Sequence, residues 1–135
     1  MTKTIKGALA CLKLDQRALE KGAITSVPVA EVRYDRVVDW NGRLYRVQVK
    51  YTDSPASSSA NAVQVNLQSF GHNRLTSAGY TADEVDAVAV YIPQVDAVCW
   101  FEPDEFEGMT GLVVRLAPAR NGQRAGVRHY EDFLW

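Results

Sequence analysis

The sequence predicts a mixed α/β fold of the α+β kind, in which an N-terminal helix packs on a central mixed β-sheet. Three observations predict it. Apolar residues recur at helical spacing over the first twenty residues. An Asn41-Gly42 pair then separates two runs in which Val, Tyr and Trp alternate with polar residues, the pattern of a β-hairpin. Further on come short apolar runs, AVQVNLQS, DAVAVYIP, DAVCWFEP and GLVVRL, bounded by turn-forming residues. At 135 residues and 47% hydrophobic content the chain is one domain, 1–135, with neither an internal repeat nor a dividing linker.

The elements follow in order. From Thr4 to Lys21, Ile5, Leu9, Leu12 and Leu19 mark the apolar stripe of an amphipathic helix, and Gly22 stands where a C-terminal cap belongs. Ala23 to Val29 reads as a strand. The hairpin, YDRVVDWNGRLYRVQVKY over 34–51, has a derivable register: a two-residue loop at Asn41-Gly42 sets Trp40 against Arg43, and each outward step leads to Asp35 opposite Gln48. Side-chain alternation then predicts Asp35, Gln48 and Lys50 on one face, with Tyr34, Val38, Tyr45, Val47, Val49 and Tyr51 largely on the other.

Beyond the hairpin, TDSPASSSAN reads as a Ser-rich loop, and the strand AVQVNLQS shows Val63, Val65 and Leu67 on one side, Gln64, Asn66 and Gln68 on the other. A polar stretch over 71–79 leads to Thr81-Ala82-Asp83-Glu84, spaced for a short capped turn. DAVAVYIP and DAVCWFEP read as strands joined at Pro93-Gln94, the first apolar on both faces and so interior to the sheet. GLVVRL adds a strand before an Arg- and Gly-rich tail ending in HYEDFLW.

Several classes are excluded by composition. No apolar run approaches the roughly 18 residues that would span a bilayer, and Lys3 and Lys6 precede no signal-peptide core, so a soluble, cytoplasmic protein without a membrane partner is expected. Cys11, Cys99, His72 and His129 are too few and too scattered for a disulfide framework or a transition-metal cage. The net charge of -1 hides a segregation. Lys and Arg outnumber Asp and Glu ten to five over 1–50, are outnumbered nine to one over 51–110, and lead four to two over 111–135. Such segregation fits a cationic face for DNA, or ordinary surface variation.

On the polar face of the hairpin a carboxylate (Asp35), an amide (Gln48) and an ammonium (Lys50) converge. Phosphodiester hydrolysis requires these groups: oxygen donors for a divalent cation, and a cation beside the attacking water and the developing phosphorane charge. The bland alternative is an exposed strand face whose Asp-Lys diagonal contributes about 0.2–1 kcal/mol.

The arrangement of Lys6-Gly7 on a first helix, Tyr34-Asp35, and Gln48-Val49-Lys50 resembles the PD-(D/E)XK nuclease superfamily, and within it the small group I intron-encoded homing endonucleases of cyanobacterial type. YRVQVK, VDAVAVYIP and RNGQRAGVRHYEDF extend the likeness over most of the chain. The resemblance implies a restriction-endonuclease-like core and a metal-dependent, sequence-specific endonuclease of double-stranded DNA. It implies Asp35, Gln48 and Lys50 as catalytic residues, and Mg²⁺, with Mn²⁺ as a substitute, held by Asp35, Gln48 and the Val49 backbone carbonyl. A structure-selective nuclease similar to Holliday junction resolvases, or a catalytically impaired DNA-binding protein, are the alternatives. Related proteins commonly have Glu where this chain has Cys11, a poor ligand for a hard cation. Asp15, one turn on, is the candidate replacement.

For reading DNA, Gln64, Asn66 and Gln68 are candidates for base edges, since amides bond adenine bidentately and a β-ribbon fits the major groove. Lys6, Arg33, Arg36, Arg46 and Arg74 are candidates for phosphate contacts, joined by Lys3, Lys13 and Arg43. His72, alone in Gly71-His72-Asn73, reads as a surface residue. One small chain carries one hydrolytic centre, so a homo-oligomer, dimer or tetramer, is expected, with DAVAVYI, AVCWF or the aromatic tail (Tyr130, Phe133, Trp135) as interface candidates or as core.

Overall fold

Thr2 caps the first helix by accepting the Ile5 N–H at its hydroxyl (3.2 Å), and the helix runs from Lys3 to Glu20 (α1). In the computed structural model, which describes residues 1–56, 59–68 (backbone alone at 59 and 60), 79–118, 122 and 126–135, eleven further elements follow. They are β1 (Ile24–Ser26), β2 (Arg36–Trp40), β3 (Arg43–Tyr51), β4 (Pro55–Ala56), β5 (Ser59–Asn66), β6 (Ala87–Ile92), β7 (Ala97–Phe101), α2 (Pro103–Phe106), β8 (Gly111–Arg115), β9 (Arg128–His129) and a 3-10 turn (Tyr130–Phe133). Gly22, at φ +79°, closes α1 in a Schellman motif: Ala23 N–H donates to Ala18 O and Gly22 N–H to Leu19 O.

The helix turns a different face inward from the one its large residues mark. Ala10, Leu14 and Ala18 are buried, whereas Ile5, Leu12 and Leu19 are 55%, 62% and 66% exposed. The reason is steric. Alanines at Ala10 and Ala18 let the helix lie close on the sheet, with Leu14 between them and Leu9 and Cys11 packing, partly buried, against the same core. A stripe of large residues therefore remains outside.

Two mixed sheets lie beneath α1 where a single one was expected. The first has the order β1-β2-β3-β6-β7, with β3 and β6 parallel and its other neighbours antiparallel. The second has the order β4-β5-β8-β9, with β8 and β9 parallel. One core joins α1 to the first sheet through Val38, Val47, Val49, Ala87, Ala89 and Trp100. The other fills the space between the sheets with Val63, Val65, Leu67, Val88, Val90, Phe101, Leu112 and Val114. The chain is thus three layers: helix, sheet, sheet.

The hairpin register is the one its turn dictates. Trp40 pairs with Arg43 and Arg36 with Val47, across Asn41 (φ +53°) and Gly42 (φ +79°). Val38, Tyr45, Val47, Val49 and Tyr51 join the helix-side core as alternation predicts, but Tyr34, ahead of β2, packs in the other. β1 is only three residues long; Pro28 has no N–H for a ladder, and Val27 and Val29 are exposed. β6 is buried along its whole length, as an interior strand should be. β5 starts at Ser59 and ends at Asn66, so part of the Ser-rich segment is strand; 57–58 lie outside the described residues. Thr81–Glu84 is a turn, with the Thr81 hydroxyl donating to Glu84 (3.2 Å).

The segments considered for an interface belong to the interior. DAVAVYI and AVCWF contain β6 and β7, Tyr130 and Phe133 pack on the inter-sheet core, and Trp135 stacks on Trp100 (4.7 Å between centroids) while its backbone N–H donates to Val98 O. Among the described residues no helix is long and apolar enough to cross a membrane.

Candidate active site

Asp35 stands one residue ahead of β2, where the regular ladder breaks off. Its N–H donates to Val47 O (2.9 Å), and its Oδ2 accepts the Val49 N–H (3.0 Å). Asp35 is thereby bonded to both neighbours of Gln48 on β3. The carboxylate occupies the place a ladder carbonyl would take, so its position is set by backbone bonds rather than by a free rotamer.

From β3, Gln48 and Lys50 turn away from α1, on the side opposite Val47 and Val49. They line a groove of about 470 Å³ together with Lys3, Lys6, Gly7, Asp53, Gln64 and Asn66. Asp35 lines an adjoining depression of about 460 Å³ with Cys11 and Arg36; Lys3, Gly7 and Val49 border both. The polar side of β5 therefore shares its groove with Gln48 and Lys50. The Lys50 ammonium lies 5.1 Å from the centre of the Tyr80 ring, whose other visitor is the Arg33 guanidinium at 4.4 Å. Tyr80 is buried and thus a fixed platform for both.

Cys11 takes no anionic part here. Burial pushes its thiol up, and the nearby Asp35 and Asp15 carboxylates add to the rise against the opposing Arg36. Asp15 does not replace the missing carboxylate, because Arg36 claims it through two bonds, Nε to Oδ1 (2.9 Å) and a terminal nitrogen to Oδ2 (3.2 Å). Among the described residues no group of three or more His, Cys, Asp or Glu gathers for a metal. The candidate donors are oxygens, the Asp35 carboxylate and the Gln48 amide, which line adjoining hollows rather than one. That set is wrong for zinc and fits Mg²⁺, which binds through one or two carboxylates and keeps waters or substrate phosphates as its remaining ligands.

Among the described residues, Lys6, Arg33, Arg36 and Arg46, all expected to contact phosphates, have partners within the chain. Arg36 holds Asp15 and also donates to Asp35 O (2.9 Å). Arg46 donates to Asp86 and to the carbonyls of Asp83 and Ala82. Arg33 pairs with Glu84 (2.9 Å), and Lys6 with Asp53 (2.7 Å). Of the amides, Gln64 is exposed and covers Gly111, where a Cβ would meet its nitrogen at 2.3 Å; Asn66 Oδ1 accepts the Gln68 N–H (2.9 Å). Arg74 and His72 lie outside the described residues.

Tyr80, Asp53 and Asp86 were not singled out from sequence. Each meets its partner across thirty or more positions, Tyr80 with Lys50, Asp53 with Lys6 and Asp86 with Arg46, so no local spacing signals them.

A family model described as PD-(D/E)XK endonuclease matches residues 1–135. The chain belongs to the PD-(D/E)XK endonuclease family. That family cleaves DNA internally and generally uses divalent metal ions, in keeping with the oxygen-only donor set. Among solved structures, a bacterial homing endonuclease, I-Ssp6803I, superposes with a TM-score of 0.78 at 23% identity, covering 99% of this chain and 89% of that chain. At this identity the likeness is one of fold, and it extends through both sheets. No curated protein matches the chain.

Proposed function

We propose that this PD-(D/E)XK endonuclease is a Mg²⁺-dependent, sequence-specific, homing-type enzyme that hydrolyses double-stranded DNA. The observation that carries the reading is the Val49 N–H to Asp35 Oδ2 bond (3.0 Å), which ties the carboxylate to the strand segment bearing Gln48 and Lys50. In this reading Asp35, Gln48 and the Val49 carbonyl are the metal ligands. A bound cation supplies Lewis-acid polarisation of the phosphate and a more acidic water. Lys50, as an ammonium, orients that water and faces the charge that develops on phosphorus, while the proton of the water leaves to bulk solvent. Gln64 and Asn66, in the same groove, contact base edges with Gln68 beyond them, and Lys3 meets phosphates, joined by Lys6 once it releases Asp53. Arg33, Arg36 and Arg46 reach phosphates only by releasing the carboxylates they hold.

Lys50→Ala tests the reading. Mg²⁺-dependent cleavage should vanish while the circular dichroism spectrum and duplex affinity stay as in the wild type; undiminished cutting overturns the assignment. One observation favours a second reading, a DNA-binding protein with an impaired centre: Cys11 is an uncharged thiol and Asp15 is held by Arg36. Duplex binding without nicking of linear or branched DNA, in Mg²⁺ or Mn²⁺, would favour it. Cutting of four-way junctions in preference to linear duplex would instead point to a resolvase-like specificity.

A further inference from the structure

Lys50 is held differently from the basic residues that surround it in the fold. Lys6, Lys13, Arg33, Arg36 and Arg46 each hold a carboxylate of their own chain. Lys50 holds none. Among the described residues its ammonium has neither a hydrogen bond nor an ion pair, and the group that receives it is the Tyr80 ring, 5.1 Å from nitrogen to centroid. A carboxylate in that place would cancel the charge and take up N–H donors, whereas a ring face attracts the ammonium through its quadrupole and adds no charge to the groove. Tyr80 is itself immobilised. It is 3% exposed and packs among Val63, Val65, Leu67 and Val85, and its neighbour Gly79 runs so close to another segment that a Cβ there would collide with the Met109 carbonyl oxygen. Arg33 also lies on the ring, 4.4 Å from its centroid, donates to Gly79 O (3.5 Å) and pairs with Glu84 (2.9 Å). Glu84 offsets the Arg33 charge, so the ring takes a second cation without two bare like charges meeting.

We propose that Tyr80 is a positioning residue for Lys50, its ring holding the ammonium at the groove that Gln48 lines, as a charge whose N–H donors are free for water and phosphate. The purpose of that contact rests on the proposed nuclease reading; the contact itself does not. Without the ring, the four-carbon stem of Lys50 has many rotamers open to it, and the fraction aimed into the groove falls. Tyr80 is buried and offers no surface to a duplex, and the Lys50 charge survives its loss. The deficit therefore belongs to the chemical step and not to duplex affinity.

A graded series at position 80 tests it: Tyr80→Phe, then replacement by 4-fluoro-, 3,5-difluoro- and 3,4,5-trifluorophenylalanine. Each member keeps the shape of the ring, and each fluorine withdraws electron density from its face. Single-turnover cleavage at saturating duplex and Mg²⁺ should stay near the wild-type rate in Tyr80→Phe and fall with every added fluorine, about tenfold over the series, with the duplex Kd unchanged. A packing role predicts no such gradient. A flat series in an active enzyme overturns the proposal and leaves the nuclease reading standing, and a loss carried by Kd instead of rate overturns it too. Nuclear magnetic resonance reads the contact without activity. The ring current should displace the Lys50 ε-methylene protons upfield in the wild type and in Tyr80→Phe, and ordinary lysine positions in the wild type overturn the proposal. A folded chain that cuts no DNA but keeps the displaced protons retains the Tyr80–Lys50 contact and sinks the nuclease reading, so the two fail separately.

Discussion

In the proposed reading Asp35 combines a structural bond with a chemical task, and two substitutions separate them. Asp35→Asn keeps an oxygen for the Val49 N–H but removes the negative charge; it should leave stability nearly unchanged and abolish metal-dependent cleavage. Asp35→Ala strips the acceptor from an N–H on a strand buried at Val49, which costs about 1–3 kcal/mol in addition to activity. Urea midpoints and cleavage rates on the same preparations check both, and equal destabilisation by the two variants would show that Val49 takes no support from the carboxylate. Cys11→Glu asks the converse question. A carboxylate beside Asp35, with Arg36 near enough to offset its charge, should raise the cleavage rate at fixed Mg²⁺; an unchanged rate means that Asp35 and Gln48 hold the metal without help at that position.

At the scale of elements, legibility followed the range of the forces involved. The β2–β3 hairpin could be read to the residue because Asn41 and Gly42 fix the turn and alternation fixes the faces, both within eighteen positions. Irregularity began where the turn's influence ended: a continued ladder gives Asp35 opposite Gln48, whereas the actual bonds go to Val47 and Val49. The second sheet was illegible as a separate layer, since β5 meets β8 across roughly fifty positions and β9 closes its edge from the tail. The helix misled for another reason. Its large apolar residues outline one face, but packing against a sheet selects small ones, and Ala10 and Ala18 carry no signal that tells core from filler. One substitution type should show the local rules with opposite signs. Gly42→Ala, forced into φ +79°, should lower stability by about 1 kcal/mol. Gly7→Ala, in mid-helix with nothing within 4 Å of the added Cβ, should raise it by about 1 kcal/mol. Midpoints moving in the same direction would contradict the backbone assignment at one of the two sites.

Across the whole molecule the ion pairs tie layers that are distant in sequence: Lys6 to Asp53, Lys13 to Asp96, Arg36 to Asp15, Arg33 to Glu84, Arg46 to Asp86 and Arg128 to Glu105. Arg46 and Asp86 form the densest of these, because Asp86 also accepts the Arg46 backbone N–H (2.8 Å) and fastens β3 to the start of β6. The side-chain hydrogen bond from Arg46 holds the Asp86 carboxyl below its usual range, against the opposing effect of partial burial. A carboxyl depressed in the folded state contributes stability that is complete above its unfolded pKa, about 3.9, and lost as pH falls through the folded value. The urea midpoint should therefore hold from neutral pH down to about 5 and decline below about 4. In Asp86→Asn the midpoint at neutral pH should be lower and the acid decline shallower, because one of the protons taken up on unfolding has been removed. Arg46→Ala should destabilise by about 1–2 kcal/mol, discounted for the exposure of the guanidinium, while changing duplex affinity little. A loss of affinity without loss of stability would return Arg46 to the DNA-contacting surface, and an acid decline as steep in Asp86→Asn as in the wild type would assign the proton uptake to other carboxylates.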